Sequence, residues 1–512
     1  MYISELYTLY TLAQKLINED KYEVVHINRQ TDELWLQKSK QRRTTVIRLS
    51  NRGFNWKNEL KSDMARTLHT FETLQRRIKG KEINIHNVYI STYPPVDTWE
   101  MLKEPVRFRK KKNVSMKMYY MDEENGKEEL HRLARNIQHE ELKNIPATTV
   151  HEQEAFVHAY KRELHTSIKR QQEHIRKILF FGKPKLVYIL IALNVFYFFV
   201  VEFNGGSTDT ETLIQYGAKY NPLIMEGEWW RIITSMFMHI GFFHLAMNML
   251  ALYYLGIAVE QIFGSKRFLC MYMFAGIGAG TASFAFSSSI SAGASGAIFG
   301  MFGVLLYFGL IHKRLFFQTM GSSILVIIVL NLVFGFTVPM VDNSAHVGGL
   351  ITGFLAAAII QLPNQKNTNI RALGMLATII GLSGLLWFAF NNESNITLYE
   401  LNEIERMQEA REFDEVIDRT TNLLSKGDTH AAQLLFQRSY AYIMMYEFDK
   451  AQEDLEEVII LEDTMIPEAY YNLALLHLEV GEEDLAIERV TKAYELQPEN
   501  EDIEELYNRI VE

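Results

Sequence analysis

The chain has 512 residues, 48% of them hydrophobic, and a formal net charge of −10. These totals resemble an acidic soluble protein, but the length is too great for one domain core and predicts two to four domains. The single cysteine, Cys270, excludes an intramolecular disulfide and a cysteine-based zinc site. Residues 1–182 carry a net charge of +9, residues 183–392 carry +3 and residues 393–512 carry −22. Such asymmetry predicts segments that occupy different surroundings.

Residues 1–145 are predicted to form a cytoplasmic α+β domain. The first residues lack the basic and apolar regions of a signal peptide, so this domain is expected to remain where it is synthesised. A helical pattern covers residues 56–79, and residues 146–182 predict a charged helical connector that leads into a membrane. Runs rich in β-branched and aromatic residues predict strands at residues 22–28, 33–37, 44–50, 82–91 and 114–121.

A basic run at Arg107–Lys112 has two interpretations. It would contact an anionic inner leaflet, or it forms a solvated loop. No motif supports nucleic-acid binding, so no nucleic-acid partner is predicted.

Residues 183–392 contain only 17 charged residues, and apolar runs long enough to cross a bilayer alternate with short charged turns. A stack of buried soluble helices is the alternative, but the number of runs favours an all-α polytopic membrane bundle. Seven spans are predicted, at residues 186–203, 234–258, 268–289, 294–311, 321–340, 345–361 and 372–390.

The basic residues predict the orientation of this bundle. One set of loop faces carries ten Lys and Arg residues, whereas the opposite set carries only Lys219 and Arg231. Because short basic loops tend to stay in the cytoplasm, the N-terminus is predicted to be cytoplasmic. An odd number of spans then places the C-terminus outside, in a multi-pass membrane protein.

Residues 398–512 contain an internal repeat. The segments 412–414, 447–449 and 482–484 lie 35 residues apart, close to the 34-residue period of tetratricopeptide (TPR) repeats. The repeat predicts an extracytoplasmic α-solenoid with a capping helix at 500–511 and a groove for a protein or peptide partner. Its acidic charge would favour basic partners, or it serves only solubility.

Polar residues inside a membrane are costly and are therefore candidates for function. Ser295 and His346 begin two spans that run in the same direction, so they are expected at the same depth near the outer surface. A serine nucleophile needs a base such as histidine. The alternative is a small packing residue and an interfacial histidine. Small residues that allow close helix packing lie beside both positions: Gly293, Gly296, Gly300, Gly349 and Gly353.

The second span offers two further polar side chains. His244 and Asn248 are four residues apart and share one helix face, where they would donate to an oxyanion together with the Ser295 amide. The alternative is a hydrogen-bonded pair that only joins helices. Asp342 is interpreted as a solvated loop charge, so packing would orient the imidazole. His239 is interpreted as structural, because on a helix it would point away from His244.

Four motifs in order resemble the rhomboid intramembrane serine proteases over residues 184–361: Trp230-Arg231, H-x-x-x-N at 244–248, G-x-S-G at Gly293–Gly296 and A-H-x-x-G-x-x-x-G at 345–353. The resemblance implies that Ser295 is the nucleophile and His346 the general base. It also implies that His244, Asn248 and the Ser295 backbone stabilise the oxyanion.

The resemblance further implies the rhomboid fold, with a six-helix core, an outer loop at 204–231 and here one additional span. Its substrates would be transmembrane proteins in the lipid bilayer, which reach the site near span five or residues 337–343, and no cofactor or metal is expected. The domain order resembles bacterial rhomboids of the plasma membrane, and an organelle membrane is the alternative.

Two alternatives remain. One is a proteolytically silent relative that binds membrane clients as an adaptor. The other is a metal-dependent protease that uses His239, His244 and His346, although the chain lacks H-E-x-x-H in the second span.

Overall fold

The computed structural model describes residues 2–511 except 29, 41–42, 75–77, 79–81, 110–112, 140–141, 143–144, 147, 339–340, 426–429 and 462–465. The chain divides into two compact units, Met1–Ile178 and Leu179–Glu512.

The first unit combines a mixed sheet with four helices. Its elements are α1 (Tyr2–Asn18), β1 (Glu23–Asn28), β2 (Glu33–Lys40), β3 (Arg43–Ser50), α2 (Lys57–Leu74), β4 (Glu82–Ile90), β5 (Val106–Arg109), β6 (Asn113–Met121), α3 (Gly126–Ile137) and α4 (Val150–Leu179). A short 3₁₀ helix covers Glu100–Lys103.

The six strands lie in the order β1-β2-β3-β4-β6-β5. The strands β3, β4 and β6 are parallel, and the other neighbours are antiparallel. Side chains alternate between two cores: Val46 packs with α2 on one face, and Ile47 packs with α1, α3 and α4 on the other. The predicted N-terminal α+β domain is thus confirmed.

Four elements of this unit were not predicted: the helices α1 and α3, the 3₁₀ helix and the strand β5. The helix α1 precedes the sheet and buries Leu9, Leu12 and Leu16 completely. The strand β5 pairs with β6, so the first part of the basic run Arg107–Lys112 is an edge strand. Residues 110–112 of that run lie outside the described residues.

The second unit begins with a helical bundle. Its helices are α5 (Leu186–Phe203), α6 (Thr210–Gln215), α7 (Asn221–Met225), α8 (Arg231–Thr234), α9 (Gly241–Phe263), α10 (Ser265–Phe286), α11 (Ser295–Ile311), α12 (Lys313–Thr319), α13 (Gly321–Thr337), α14 (Asn343–Ile360) and α15 (Thr368–Asn391). Five of them are long and apolar enough to cross a membrane: α5, α9, α10, α14 and α15. The pair α12 and α13 is bent by 74°, and α11 is a shorter apolar helix of 17 residues.

The second predicted span differs most from the structure. It was expected from residue 234, whereas α9 begins at Gly241. The apolar residues before Gly241 form the end of α8, a 3₁₀ turn at Ser235–Phe237 and an extended segment at Met238. Hydrophobicity alone extended the prediction into this loop, because apolar residues also precede Gly241.

The C-terminal part of the second unit contains only helices among the described residues. They are α16 (Glu393–Glu409), α17 (Phe413–Ser425), α18 (Ala431–Met444), α19 (Phe448–Ile460), α20 (Pro467–Glu479), α21 (Glu483–Leu496) and α22 (Glu501–Val511). The helix α16 starts directly after α15, five residues before the predicted boundary at 398. Small apolar clusters fill the spaces between successive helices.

Candidate active site

Ser295 is the first residue of α11 and follows the loop 287–294. Gly293 in this loop leaves room for two side chains close to its Cα atom. A Cβ atom at Gly293 would lie 2.9 Å from Cε1 of His244 and 3.7 Å from Oγ of Ser295. The absence of a side chain at Gly293 therefore permits the imidazole of His244 and the hydroxyl of Ser295 to approach the same Cα atom.

The helices α11 and α14 pack through their glycines. A Cβ atom at Gly349 would collide with the backbone oxygen of Gly296, and one at Gly353 would collide with the backbone of Gly300. A Cβ atom at Gly296 would lie 3.4 Å from the carbonyl oxygen of Ala345, the neighbour of His346. This packing brings the first turns of the two helices, which carry Ser295 and His346, side by side.

The imidazole of His346 is oriented by an aromatic ring. His346 is 8% exposed and stacks on Phe299, with ring centroids 4.1 Å apart and an interplanar angle of 9°. Phe299 lies one helical turn after Ser295, so α11 supplies both the serine and the surface that holds the histidine. Sequence reasoning did not single out Phe299.

Asp342 is the N-cap of α14 and is half-buried, so its interpretation as a solvated loop charge is wrong. Its carboxylate accepts a hydrogen bond of 2.9 Å from the Ala345 amide, and the hydroxyls of Ser283 and Ser344 also donate to it. Burial alone would raise the pKa of Asp342, but these donors outweigh burial and lower the pKa below its usual value. Asp342 thus fixes the turn that carries His346.

His244 and Asn248 lie on one face of α9. Asn248 is 7% exposed, and its Nδ2 donates to the carbonyl oxygen of His244 at 3.0 Å. An amide nitrogen carries two hydrogens, so this bond uses only one of them.

His239 lies closer to this site than expected. It precedes α9, so the helical angle used to direct it away from His244 does not apply. Its ring centroid is 5.4 Å from that of His244, and its Nε2 accepts a long hydrogen bond of 3.4 Å from the Ala294 amide. Within the described part of the chain, no group of three His, Cys, Asp or Glu residues could hold a metal ion.

The loop between α5 and α9 supplies two buried cations. Arg231 is 4% exposed, donates to the Ile214 carbonyl at 2.6 Å, and lies over the Trp230 ring at 4.8 Å. Lys219 is 1% exposed and donates to the carbonyl oxygens of Ser287 and Ser289, each at 2.8 Å.

Burial lowers the pKa of Lys219 to about 8, although Asp342 opposes the shift. Both Lys219 and Ser295 line a cavity of about 20 Å³. Sequence reasoning missed the role of Lys219, although a lysine in a nearly uncharged segment was the available signal.

Comparisons with known proteins agree with this architecture. The family model described as the Rhomboid domain matches residues 226–363. Rhomboid protease GluP of Bacillus subtilis (strain 168) is 35% identical over 477 residues, which cover 92% of each chain.

Two shorter matches come from other organisms. Rhomboid protease AarA of Providencia stuartii is 30% identical over 263 residues, which cover 45% of this chain and 89% of AarA. RHOMBOID-like protein 5 of Arabidopsis thaliana is 39% identical over 159 residues, covering 30% of this chain and 51% of that protein. With a full-length relative and several apolar candidate spans, the chain is a multi-pass membrane protein that belongs to the rhomboid family of intramembrane serine proteases.

Proposed function

We propose that this protease cleaves transmembrane segments of membrane proteins near the outer face, through a dyad of Ser295 and His346. The observation that carries the proposal is the glycine-mediated packing of α11 on α14, with His244 beside the same serine. No acidic third member is needed if the ring stacking on Phe299 orients the imidazole.

The chemistry follows from these positions. Ser295 Oγ attacks the scissile carbonyl carbon while His346 accepts the hydroxyl proton. The Ser295 amide, His244 and Asn248 donate hydrogen bonds to the oxyanion. The C–N bond then breaks, and His346 returns the proton to the leaving amine. Water next hydrolyses the acyl-enzyme, and the polar cavity beside Ser295 is large enough for one water molecule.

The substrate is proposed to enter the active site laterally from the membrane, either at α13 or near residues 337–343. Residues 339–340 of the second segment lie outside the described residues. In support, α13 leaves Val326, Val329 and Leu330 more than half exposed, so it is packed on one side only. A helical peptide bond is sterically shielded, so the substrate helix must unwind locally before attack. Helix-breaking residues near its outer end are expected to favour cleavage.

The number of membrane spans determines on which side of the membrane each soluble part lies. Seven spans would arise if α11 and the bent pair α12–α13 each cross the membrane in addition to the five long helices. The N-terminal domain would then lie in the cytoplasm and residues 398–512 outside the plasma membrane.

The C-terminal helices are proposed to form a TPR solenoid that binds a protein or peptide partner. In support, α17, α19 and α21 begin 35 residues apart, at Phe413, Phe448 and Glu483. The turns before them repeat a left-handed residue at the same spacing, at Arg411, Tyr446 and Gly481. A groove beside Phe436 and Tyr471 has a volume of about 350 Å³ and would accept such a segment.

The proposed chemistry is tested by purified full-length protein in proteoliposomes with a single-span model substrate. Ser295→Ala and His346→Ala are each expected to lower the cleavage rate at least about a thousandfold. Ser288→Ala is the matched control, because Ser288 is an exposed serine in the same loop. Cleavage that persists in Ser295→Ala would contradict the proposed dyad. Cleavage at a bond outside the outer third of the substrate span would contradict the proposed depth of the active site.

A further inference from the structure

The first helix of the C-terminal segment contacts the outer loop of the protease. The side chain of Asn402 on α16 lies 3.3 Å from the hydroxyl of Tyr220, and Arg406 pairs with Glu226 at 3.1 Å. The Tyr220–Asn402 contact is half-buried. The Arg406–Glu226 pair is exposed, and such surface pairs contribute little to stability.

A third contact between α16 and this loop is fully buried. Asn395, in the first turn of α16, is 2% exposed, and Asn221 at the start of α7 is 0% exposed. Asn221 Nδ2 donates to Asn395 Oδ1 at 2.7 Å, and Asn395 Nδ2 donates to the carbonyls of Phe284 and Ala389, each at 2.9 Å. Every polar atom of Asn395 is therefore satisfied, and its removal would leave buried partners unpaired.

The hydrogen bonds continue from Asn221 into the loop that precedes Ser295. Lys219 Nζ donates to Asn221 Oδ1 at 2.9 Å and to the carbonyls of Ser287 and Ser289. The backbone of Lys219 also pairs with that of Ser291, through bonds of 2.9 and 3.1 Å. The loop 287–294 is thus held along one side by Lys219, and Ser295 is the residue that follows it.

We infer that Asn395 is a positioning residue for the active site, which acts on the Ser295 loop through Asn221 and Lys219. The inference rests on the proposed role of Ser295 as nucleophile. Helix α16 would then contribute to protease activity, in addition to beginning the segment that is proposed to bind a partner. A displacement of α16 would break the buried bond to Asn221 and loosen the loop on which the serine is presented.

The test uses the full chain in detergent micelles. The rate of Ser295 phosphonylation by a fluorophosphonate is measured together with kcat and KM for a model transmembrane substrate. Asn395→Ala is expected to lower the phosphonylation rate and kcat about tenfold, since a lost buried hydrogen bond costs about this factor. KM is expected to stay unchanged, because Asn395 is only 2% exposed and is therefore out of reach of the substrate.

Asn402→Ala is the matched control, because it removes an asparagine of the same helix that contacts the same loop through half-buried and exposed bonds and not through the buried chain. Asn221→Ala interrupts the buried chain from the other side and supplies a second variant. If both residues act through one bond, the double variant Asn395→Ala with Asn221→Ala is no slower than the slower single variant.

Thermal unfolding identifies the variants that are folded at the assay temperature. Folded Asn395→Ala or Asn221→Ala protein that is phosphonylated at the wild-type rate overturns the inference, as do strictly multiplicative effects in the double variant. Wild-type protein that takes no label at Ser295 would instead overturn the proposed nucleophile, so the two failures are distinguishable.

Discussion

At the scale of single residues, the proposed dyad has no acidic third residue, and packing orients the imidazole of His346 instead. The ring of Phe299 lies parallel to that of His346, and Asp342 caps the helix turn below it. The ring stacking and the helix cap restrict the imidazole, while Nδ1 of His346 has no hydrogen-bond partner among the residues that the structure describes. The orientation of the base therefore depends on an apolar ring, which predicts an unusual sensitivity at Phe299.

Phe299→Leu is predicted to lower kcat about two- to tenfold with little change in KM, because an aromatic pair contributes about 0.5–1.5 kcal/mol beyond its buried area. Phe299→Tyr keeps the stacked ring and is predicted to retain activity. Steady-state cleavage of a model substrate by the folded variants checks this. Full kcat in Phe299→Leu would show that another contact orients His346.

Residue type and spacing predicted some of these positions and not others. Ser295, His346, His244 and Asn248 were selected because their chemistry is rare inside a membrane, and their catalytic roles remain predictions. Lys219 and Asn395 were not selected, because their importance depends on tertiary contacts. Asn221 and Asn395 are 174 positions apart, and no local pattern connects them.

At the scale of elements, the contact of α11 with α14 determines where the two proposed catalytic residues lie. Gly349 faces the backbone oxygen of Gly296 without room for a methyl group. A backbone atom cannot move aside as a side chain can, so a substitution there must separate the helices.

Gly349→Ala is predicted to destabilise the bundle by about 1–3 kcal/mol and to lower cleavage, since overpacking has this typical cost. Gly384→Ala on α15 is the control, because a Cβ atom there meets nothing within 4 Å. Thermal unfolding in detergent compares the two variants. Equal stability of both would show that α11 and α14 do not pack as closely as described.

A second element-scale prediction concerns the N-terminal sheet. His86 on β4 is 4% exposed, and its Nδ1 lies 2.9 Å from the Tyr119 hydroxyl. Burial, helped by the charge of Lys117, lowers the pKa of His86 to about 4. The pKa of a histidine in the unfolded chain is about 6.5. Between about pH 4 and 6.5, His86 therefore binds a proton in the unfolded chain but not in the folded domain. Stability is therefore fully present above pH 6.5 and is lost as pH falls toward 4, by about 3 kcal/mol for this group.

Urea unfolding of the full chain, followed by proteolysis of the N-terminal unit between pH 4.5 and 7, measures this dependence. His86→Phe retains a ring in the core but cannot titrate, so its stability is predicted to fall less steeply than that of the wild type. Parallel pH profiles for the two proteins would contradict the assignment.

Most of the strands, one long helix and most apolar spans were predicted within a few residues, because period-2 patterns and long apolar runs are local signals. The start of α9, the helices α1 and α3 and the strand β5 were not. The loop before Gly241 contains apolar residues although it is not part of α9, so tertiary packing decides where that helix begins. The helix α1 buries Leu9, Leu12 and Leu16 at helical spacing, a local signal that the prediction did not use.

At the scale of the whole molecule, the proposed topology separates a basic N-terminal unit from an acidic C-terminal segment. In a background with Cys270→Ser, single cysteines at exposed positions report the side of the membrane. Ser425→Cys is predicted to react with a membrane-impermeant maleimide in intact cells, and Ser62→Cys only after permeabilisation. The reverse pattern, or reaction of both in intact cells, would contradict the seven-span orientation.

Ser295, activated by His346, is proposed to perform the cleavage inside the membrane. The decisive measurement treats the full-length protein with a fluorophosphonate and locates the adduct by peptide mass spectrometry. One adduct is expected on Ser295, which forms in parallel with loss of cleavage and is absent in His346→Ala. An adduct on another residue, or unchanged cleavage after complete modification of Ser295, would contradict this proposal.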